Sequence, residues 1–345
     1  MVTAIMPPFK SEKLSVSYLS AVPMHCLKRH KCNFESSHWP LFGILVVTVI
    51  AFWPTFTNGF QMEWDDQWQV MNTFTSDGLR MDALRVSFTE GISGQYDPLN
   101  QFLYTLLFLM GGYNPTLFHI VSLLLHTANI SCVFALLGTL LKDCTTIDKE
   151  RCKWIVVITT LFFAIHPLQV ETVAWVSASK ILLSTLFYLL ATIMLIRFLK
   201  SGRIMDYAFI LLYFLLSYLS KEAAITFPLW ASLLCLWYKV TIRDNLFWKV
   251  LLPLYGFALL MVLHTIFIVT QYDHFIQGNT YVWWQRFVLF FYSITTYIFK
   301  WLVPLRLSWM YSFPAPVDKP LPAWLILLRQ TDLQTDFQAV LNHSN

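Results

Sequence analysis

Residues 41–72 read LFGILVVTVIAFWPTFTNGFQMEWDDQWQVMN, and two features of that stretch decide how the rest of the chain is taken. Leu41 to Phe56 is mostly apolar and reads as a membrane span. Three carboxylates, Glu63, Asp65 and Asp66, follow just past its end, beside Trp64 and Trp68. Acids at a membrane edge are costly unless water or a cation meets them. An Asp-Asp pair there is a candidate general base or metal ligand. The alternative is a solvated loop with ordinary surface acids, and this window alone does not choose between them.

Composition sets the class. The chain has 345 residues, of which 57% are hydrophobic and 13% charged, with a mean hydropathy of +0.55. Soluble domains carry about 25% charged residues. The expectation is an all-α polytopic membrane protein with room for about eight or nine spans of ~20 residues. The net charge of +4 is small and gives no reason to expect nucleic-acid binding.

Working outward, residues 1–39 hold Lys10, Lys13, Lys28, Arg29 and Lys31 without an apolar run. They read as a basic cytosolic tail, not a cleavable signal. Residues 40–328 form the membrane domain, and 329–345 are a short polar tail. After Leu41–Phe56 the expected spans are Thr116–Leu141, Trp154–Ile165, Ile181–Leu199, Tyr207–Leu219, Ala223–Tyr238, Val250–Thr270 and Phe287–Val303. Trp324–Leu328 starts an apolar run too short to cross. The segment 57–114 is the longest that does not span. Within it, Pro98 to Met110 is short for a span and closes at Gly111-Gly112, so it reads as a helix lying in the interface. A short tilted span is the rival, and would invert everything downstream.

Lysine and arginine test the arrangement. With a cytosolic N-terminus, Lys142, Lys149, Arg151, Lys153, Lys200, Arg203, Lys239, Arg243 and Lys249 fall inside. Fewer fall outside: Arg80, Arg85, Lys180, Lys221 and, at an edge, Arg286. The outer face, lumenal or periplasmic, then collects Asp65, Asp66, His166, Glu171, Lys180, Lys221 and Glu222. Cys26, Cys32, Cys144 and Cys152 fall inside, and Cys132 and Cys235 within spans, so no disulfide is expected. No zinc spacing and no nucleotide-phosphate loop is visible.

Four segments carry chemistry. The first holds Asp65 and Asp66. The second runs from Tyr96 to Leu99 and on to His119 and His126, which are seven residues apart and share one helix face. Two histidines facing one way suggest a polar cavity, or else hydrogen-bonded bundle histidines, the reading favoured for the deeper His126. The third is HPLQVETVAWVSASK, His166 to Lys180, ending one span and opening the next. The fourth is Ser220-Lys221-Glu222, either a tight turn with a snorkelling lysine or a point charge for a phosphate.

Taken together, NGFQMEWDDQWQVMN from Asn58, the Tyr96-Pro98-Leu99 turn, FHIVSLLLHTAN from Phe118, HPLQVETVAWVSASKILLSTLFYLLA from His166, LSKEAAITFPL from Leu219 and YIFKWLVPLRLSWMYSFP from Tyr297 resemble one family. It is the transmembrane and tetratricopeptide-repeat protein O-mannosyltransferases and their bacterial relatives, within the class C glycosyltransferases. The resemblance implies a multi-pass enzyme of the endoplasmic reticulum or bacterial inner membrane. It would move a sugar, mannose or another hexose, from a polyprenyl-phosphate donor to a hydroxyl, commonly of a protein Ser or Thr. Its partners would be membrane lipids, the lipid-linked sugar and an acceptor protein or peptide.

The resemblance maps the essential acid to Asp65 and Asp66 and the donor-phosphate ligand to Lys221, with Lys180 as a second cation. Glu222, His166, Glu171, His119 and Tyr96 are further site candidates. No cofactor is specified beyond the lipid-linked sugar as donor substrate, and a divalent cation on Asp65 and Asp66 stays open. Two departures stand out. Asp97 occupies a position before Pro98 that is often basic in relatives, and no tetratricopeptide repeat follows the eighth span, as in a truncated or repeat-free member. A transporter and a non-catalytic membrane scaffold are the rival functions.

Overall fold

The computed structural model describes residues 39–89, 91–92, 95–144, 147–271, 281–305, 307–308, 311, 313–314 and 320–322. The N-terminal tail up to residue 38, Cys26 and Cys32, the apolar run Trp324–Leu328 and the tail 329–345 lie outside the described residues.

The described chain is helical, with one isolated bridge between Ile92 and Gln95. Helix α1 (Trp39–Phe52) runs into a 3-10 turn, Trp53–Thr57, with Pro54 in its first turn where no N–H is needed. Short helices α2 (Asp66–Gln69), α3 (Thr73–Ser76) and α4 (Met81–Thr89) follow. Next come α5 (Pro98–Gly111), α6 (Pro115–Cys144), α7 (Lys149–Ile165), α8 (Gln169–Ala174) and α9 (Ser179–Ser201). The last are α10 (Ile204–Ser220), α11 (Phe227–Trp237), α12 (Asn245–Gln271) and α13 (Trp283–Leu302).

Among the described residues four segments are long and apolar enough to cross a membrane: Trp39–Thr57, Pro115–Asp143, Val176–Ser201 and Asn245–Ile268. They coincide with the expected first, second, fourth and seventh spans, and the chain is an all-α membrane protein. Ile204–Ser220 and Glu222–Trp237 are shorter apolar helices. The expected third span is longer than its apolar run. Asp148 caps α7 by accepting from Arg151 N at 3.0 Å, which draws the charged turn from Lys149 into the helix.

Helix α5 keeps the boundaries that its proline and glycines predict. Pro98 sits in its first turn and Gly112, at φ 61°, ends it. Its 14 residues reach ~21 Å, short of the ~30 Å of a hydrocarbon core. One face, with Asn100, Tyr104 and Leu107, is buried, while Leu109 and Met110 are exposed.

The main core lies among α9, α10, α11 and α12, where Leu195, Phe214, Phe227 and Leu254 are fully buried. A second cluster joins α1, α6 and α7 through Ile44, Ile130 and Val156. In lipid, apolar burial alone does not drive helices together, and close packing with interhelical hydrogen bonds does. Ser184 and Ser217 each donate to the other's backbone carbonyl, at 2.9 and 2.8 Å, so α9 and α10 approach closely. Asn129 Nδ2 donates to Leu182 O at 2.9 Å, tying α6 to α9. Tyr218 on α10 donates to Met261 O on α12 at 3.1 Å. A third cluster, Val70, Tyr104, Leu107, Phe118 and Val176, docks the segment between α1 and α6 onto the end of the bundle where α9 begins.

Candidate functional site

The two aspartates that look equivalent in sequence are placed differently. Asp66 is 1% exposed. Its Oδ1 accepts from Ser177 N at 2.9 Å and from the Ser177 hydroxyl, and its Oδ2 accepts from Gln61 N at 2.8 Å. Ser177 belongs to the 3-10 turn Val176–Ala178 that leads into α9. Asp66 therefore fills the position at this helix entry where free backbone N–H groups favour an anion. Asp65 is half-buried, and its carboxylate makes no hydrogen bond or ion pair among the described residues. Its backbone carbonyl accepts from Gln69 N at 2.7 Å. Asp65 and Gln69 thus stand one turn apart on the same side of α2.

Gln69 leads to a buried polar cluster. Lys180 Nζ donates to Gln69 Oε1 at 2.8 Å and to Gln95 Oε1, and lies 3.4 Å from Asp97 Oδ2. Gln69 Nε2 also donates to Gln95 Oε1 at 2.6 Å. Burial raises the Asp97 carboxyl above the usual carboxylate range, and the nearby Lys180 ammonium opposes that without cancelling it. Both members of the pair are buried, so their attraction is set against a desolvation cost.

Lys221 sits at the break between α10 and the 3-10 turn Glu222–Thr226, on extended backbone (φ −163°, ψ 132°). It is half-buried, and among the described residues its ammonium has no hydrogen bond or ion-pair partner. Burial holds its pKa below the usual lysine value and Lys180 adds to this, while Glu222, Asp97 and Glu171 act against it. The sequence-derived candidates Lys180, Glu222 and Glu171 are thus each within electrostatic reach of Lys221, Glu171 from an exposed position on α8.

Tyr96 is a support for this group. Its hydroxyl donates to Phe88 O at 3.1 Å, and burial pushes the phenol up to about 12. Its ring packs against His264 at 4.6 Å and Tyr218 at 5.7 Å between centroids.

The histidines divide. His166 caps the end of α7: Nδ1 accepts from Leu168 N at 3.2 Å, and Nε2 lies 3.0 Å from Trp301 O on α13. The first contact leaves the proton on Nε2, so both ring nitrogens are committed away from the cluster. His126 reaches Ala164 O at 2.9 Å and packs on Phe52, as a bundle histidine does. His119 is 1% exposed and lies near the Asn58 backbone and within electrostatic reach of Asp66.

Gln69, Gln95 and Ser177 are site residues that the sequence reading did not single out. Ser177 and Lys180 lie in the VSASK run, one turn apart, which was the available signal. Nothing local marks Gln69 or Gln95. Asp66 Oδ1 accepts from two donors and Oδ2 from one, so both of its oxygens are engaged by the protein. Among the described residues no three His, Cys, Asp or Glu side chains group as a metal shell.

The chain is similar to "Protein O-mannosyl-transferase Tmtc1" of Drosophila melanogaster, with 29% identity over 219 residues. That match covers 60% of this chain and 24% of the relative. It is also similar to "Protein O-mannosyl-transferase TMTC1" of Homo sapiens, with 33% identity over 108 residues, or 31% of this chain and 11% of that protein. The matches therefore span about a quarter or less of the curated relatives. No family model matches the chain, and no solved structure matches it.

Proposed function

We propose that the chain is a membrane glycosyltransferase of the class C type, built on about eight or nine transmembrane helices. It moves mannose or another hexose from a polyprenyl-phosphate donor to the hydroxyl of a protein Ser or Thr. The observation that carries this reading is a carboxylate and an ammonium, Asp65 and Lys221, both half-buried and both without a hydrogen-bond or ion-pair partner among the described residues, adjoining one buried polar cluster. Similarity to O-mannosyl-transferases supports it. The lysine and arginine asymmetry supports an N-terminus in the cytosol and a site on the lumenal or periplasmic side.

In this reaction the acceptor oxygen forms a bond to the anomeric carbon as the bond from that carbon to the phosphate oxygen breaks. The hydroxyl proton goes to the Asp65 carboxylate. The bonding electron pair leaves with the polyprenyl phosphate, whose growing charge Lys221 offsets. Asp66 holds the loop and takes no proton. A lysine suits the phosphate because its ammonium is a compact point charge with three donors.

The test uses the full chain, purified into lipid micelles, with polyprenyl-phosphate mannose and a Ser/Thr peptide. Peptide gaining one hexose, with none gained from a sugar nucleotide, is the expected result. No product from any polyprenyl-phosphate hexose, with solute uptake by vesicles holding the protein, would replace the reading with a transporter.

A further inference from the structure

Lys180 and Lys221 look like two cations serving one phosphate, but their surroundings differ. A lysine ammonium has three N–H donors. Those of Lys180 meet Gln69 Oε1, Gln95 Oε1 and Asp97 Oδ2. A phosphate could reach Lys180 only by displacing one of them. Lys221 has no such partners.

Helix α2 explains what Lys180 is for. Its four residues are too few to hold a helix alone. It is pinned at both ends by the segment that opens α9. Ser177 holds Asp66, and Lys180 holds Gln69. On each side the two pinned residues are one helical turn apart, so two turns grip each other at matched spacing. Asp65 adjoins the first pin and stacks one turn behind the second.

The geometry points to Lys180 as a positioning residue: with Asp66 and Ser177 it forms a two-point clasp that aims Asp65, and Lys221 alone meets the donor phosphate. Asp97 and Gln95 complete the clasp by holding the ammonium. Its ion pair is buried within a hydrogen-bonded polar network, the setting in which such contacts rigidify a site. The catalytic half of this inference rests on the glycosyl-transfer reading, while the clasp itself does not.

Two measurements separate these halves. The first needs no activity. With Cys at position 65 (Asp65→Cys), maleimide labelling of that residue is followed by peptide mass, with and without Lys180→Met. Releasing the second pin frees α2, and labelling should quicken several-fold, since local opening sets access to a half-buried group. Unchanged labelling overturns the clasp, whatever the enzyme does.

The second is steady-state transfer. A misplaced reacting group costs on the order of 100-fold in turnover. Lys180→Met should lower kcat on that scale with the donor KM unchanged, and Gln69→Leu should do the same. Their double variant should be no worse than either alone, because both break one contact. Gln69→Glu, which keeps an oxygen for Lys180, should recover most of the turnover. A raised donor KM in Lys180→Met, additive with Gln69→Leu, would return Lys180 to the phosphate and overturn the assignment.

Discussion

The two ends of α9 hold the same kinds of side chain and treat them differently. Lys180 at its start and Lys200 near its end stand ~30 Å apart along the axis. At the Lys200 end Lys200, Asp143, Arg197 and Asp206 all have partners. Lys200 pairs with Asp143, Tyr238 donates to the same carboxylate at 2.7 Å, and the Lys200 ammonium also lies over the Tyr238 ring. Asp206 takes Ser201 at 2.6 Å and Arg197 at 3.6 Å. At the Lys180 end, Lys180 and Asp66 are held by several donors and acceptors, yet Asp65 and Lys221 beside them have no hydrogen-bond or ion-pair partner among the described residues. Leaving a buried or half-buried polar group unpaired costs stability. One end is closed on itself and holds helices together, while the other keeps groups open for something that is not protein.

The comparison is broken most decisively through Asp65. General-base help is worth ~10²–10⁴ in rate, so Asp65→Asn should lower turnover by that factor with donor binding intact. Asp143→Asn, at the closed end, should leave turnover unchanged. Equal losses in the two variants, measured at saturating donor and acceptor, would erase the distinction between the ends.

Next in size is the open ammonium. A hydrogen bond to a charged group is worth about 1.5–3 kcal/mol, so Lys221→Ala should raise the donor KM by about ten- to a hundredfold. Lys221→Arg should recover part of this, since the charge stays and the shape changes. Titrating the donor in each variant reads it directly.

At the closed end the effect is on stability. Asp143→Asn weakens one ion pair and one hydrogen bond, and should lower stability by about 1 kcal/mol, read as an earlier melting transition. The smallest effect is a pH slope. Lys221 folds with a pKa below the ordinary lysine value of 10.5, so the unfolded chain binds more protons in the window between the two. Stability from this group should therefore rise with pH up to about 10.5. Donor binding should fall over the same window as the ammonium loses its charge. Lys221→Met should flatten both trends.

Much of the architecture was legible locally. Pro98 and the Gly111-Gly112 pair mark the ends of α5, and the run from Thr116 marks α6. The start of α7 was misjudged because its charged first turn carries no apolar signal, though Asp148 three residues before Arg151 was a readable cap. His126 as a bundle histidine followed from its depth. The site was legible as a set of residues but not as roles. Asp65 and Asp66 are the same residue type side by side, and only Asp66 is tied to Ser177, which lies six helices further along the chain. Lys180 and Lys221 are both lysines at helix ends, and Asp97, Gln69 and Gln95 make one of them internal. Such differences arise from contacts between distant segments, which residue type and spacing do not encode.

The matched clasp also bears on the order in which the protein forms. Both of its hydrogen-bonded pairs, 66 with 177 and 69 with 180, join residues 111 positions apart. Closing a loop of that length costs entropy before any contact repays it. A four-residue helix cannot nucleate ahead of that closure. During synthesis, α2 leaves the ribosome more than a hundred residues before its anchor. The aim of Asp65 is thus acquired only after α9 has been made and seated. A chain interrupted before Lys180 would carry both aspartates and still have no ordered site.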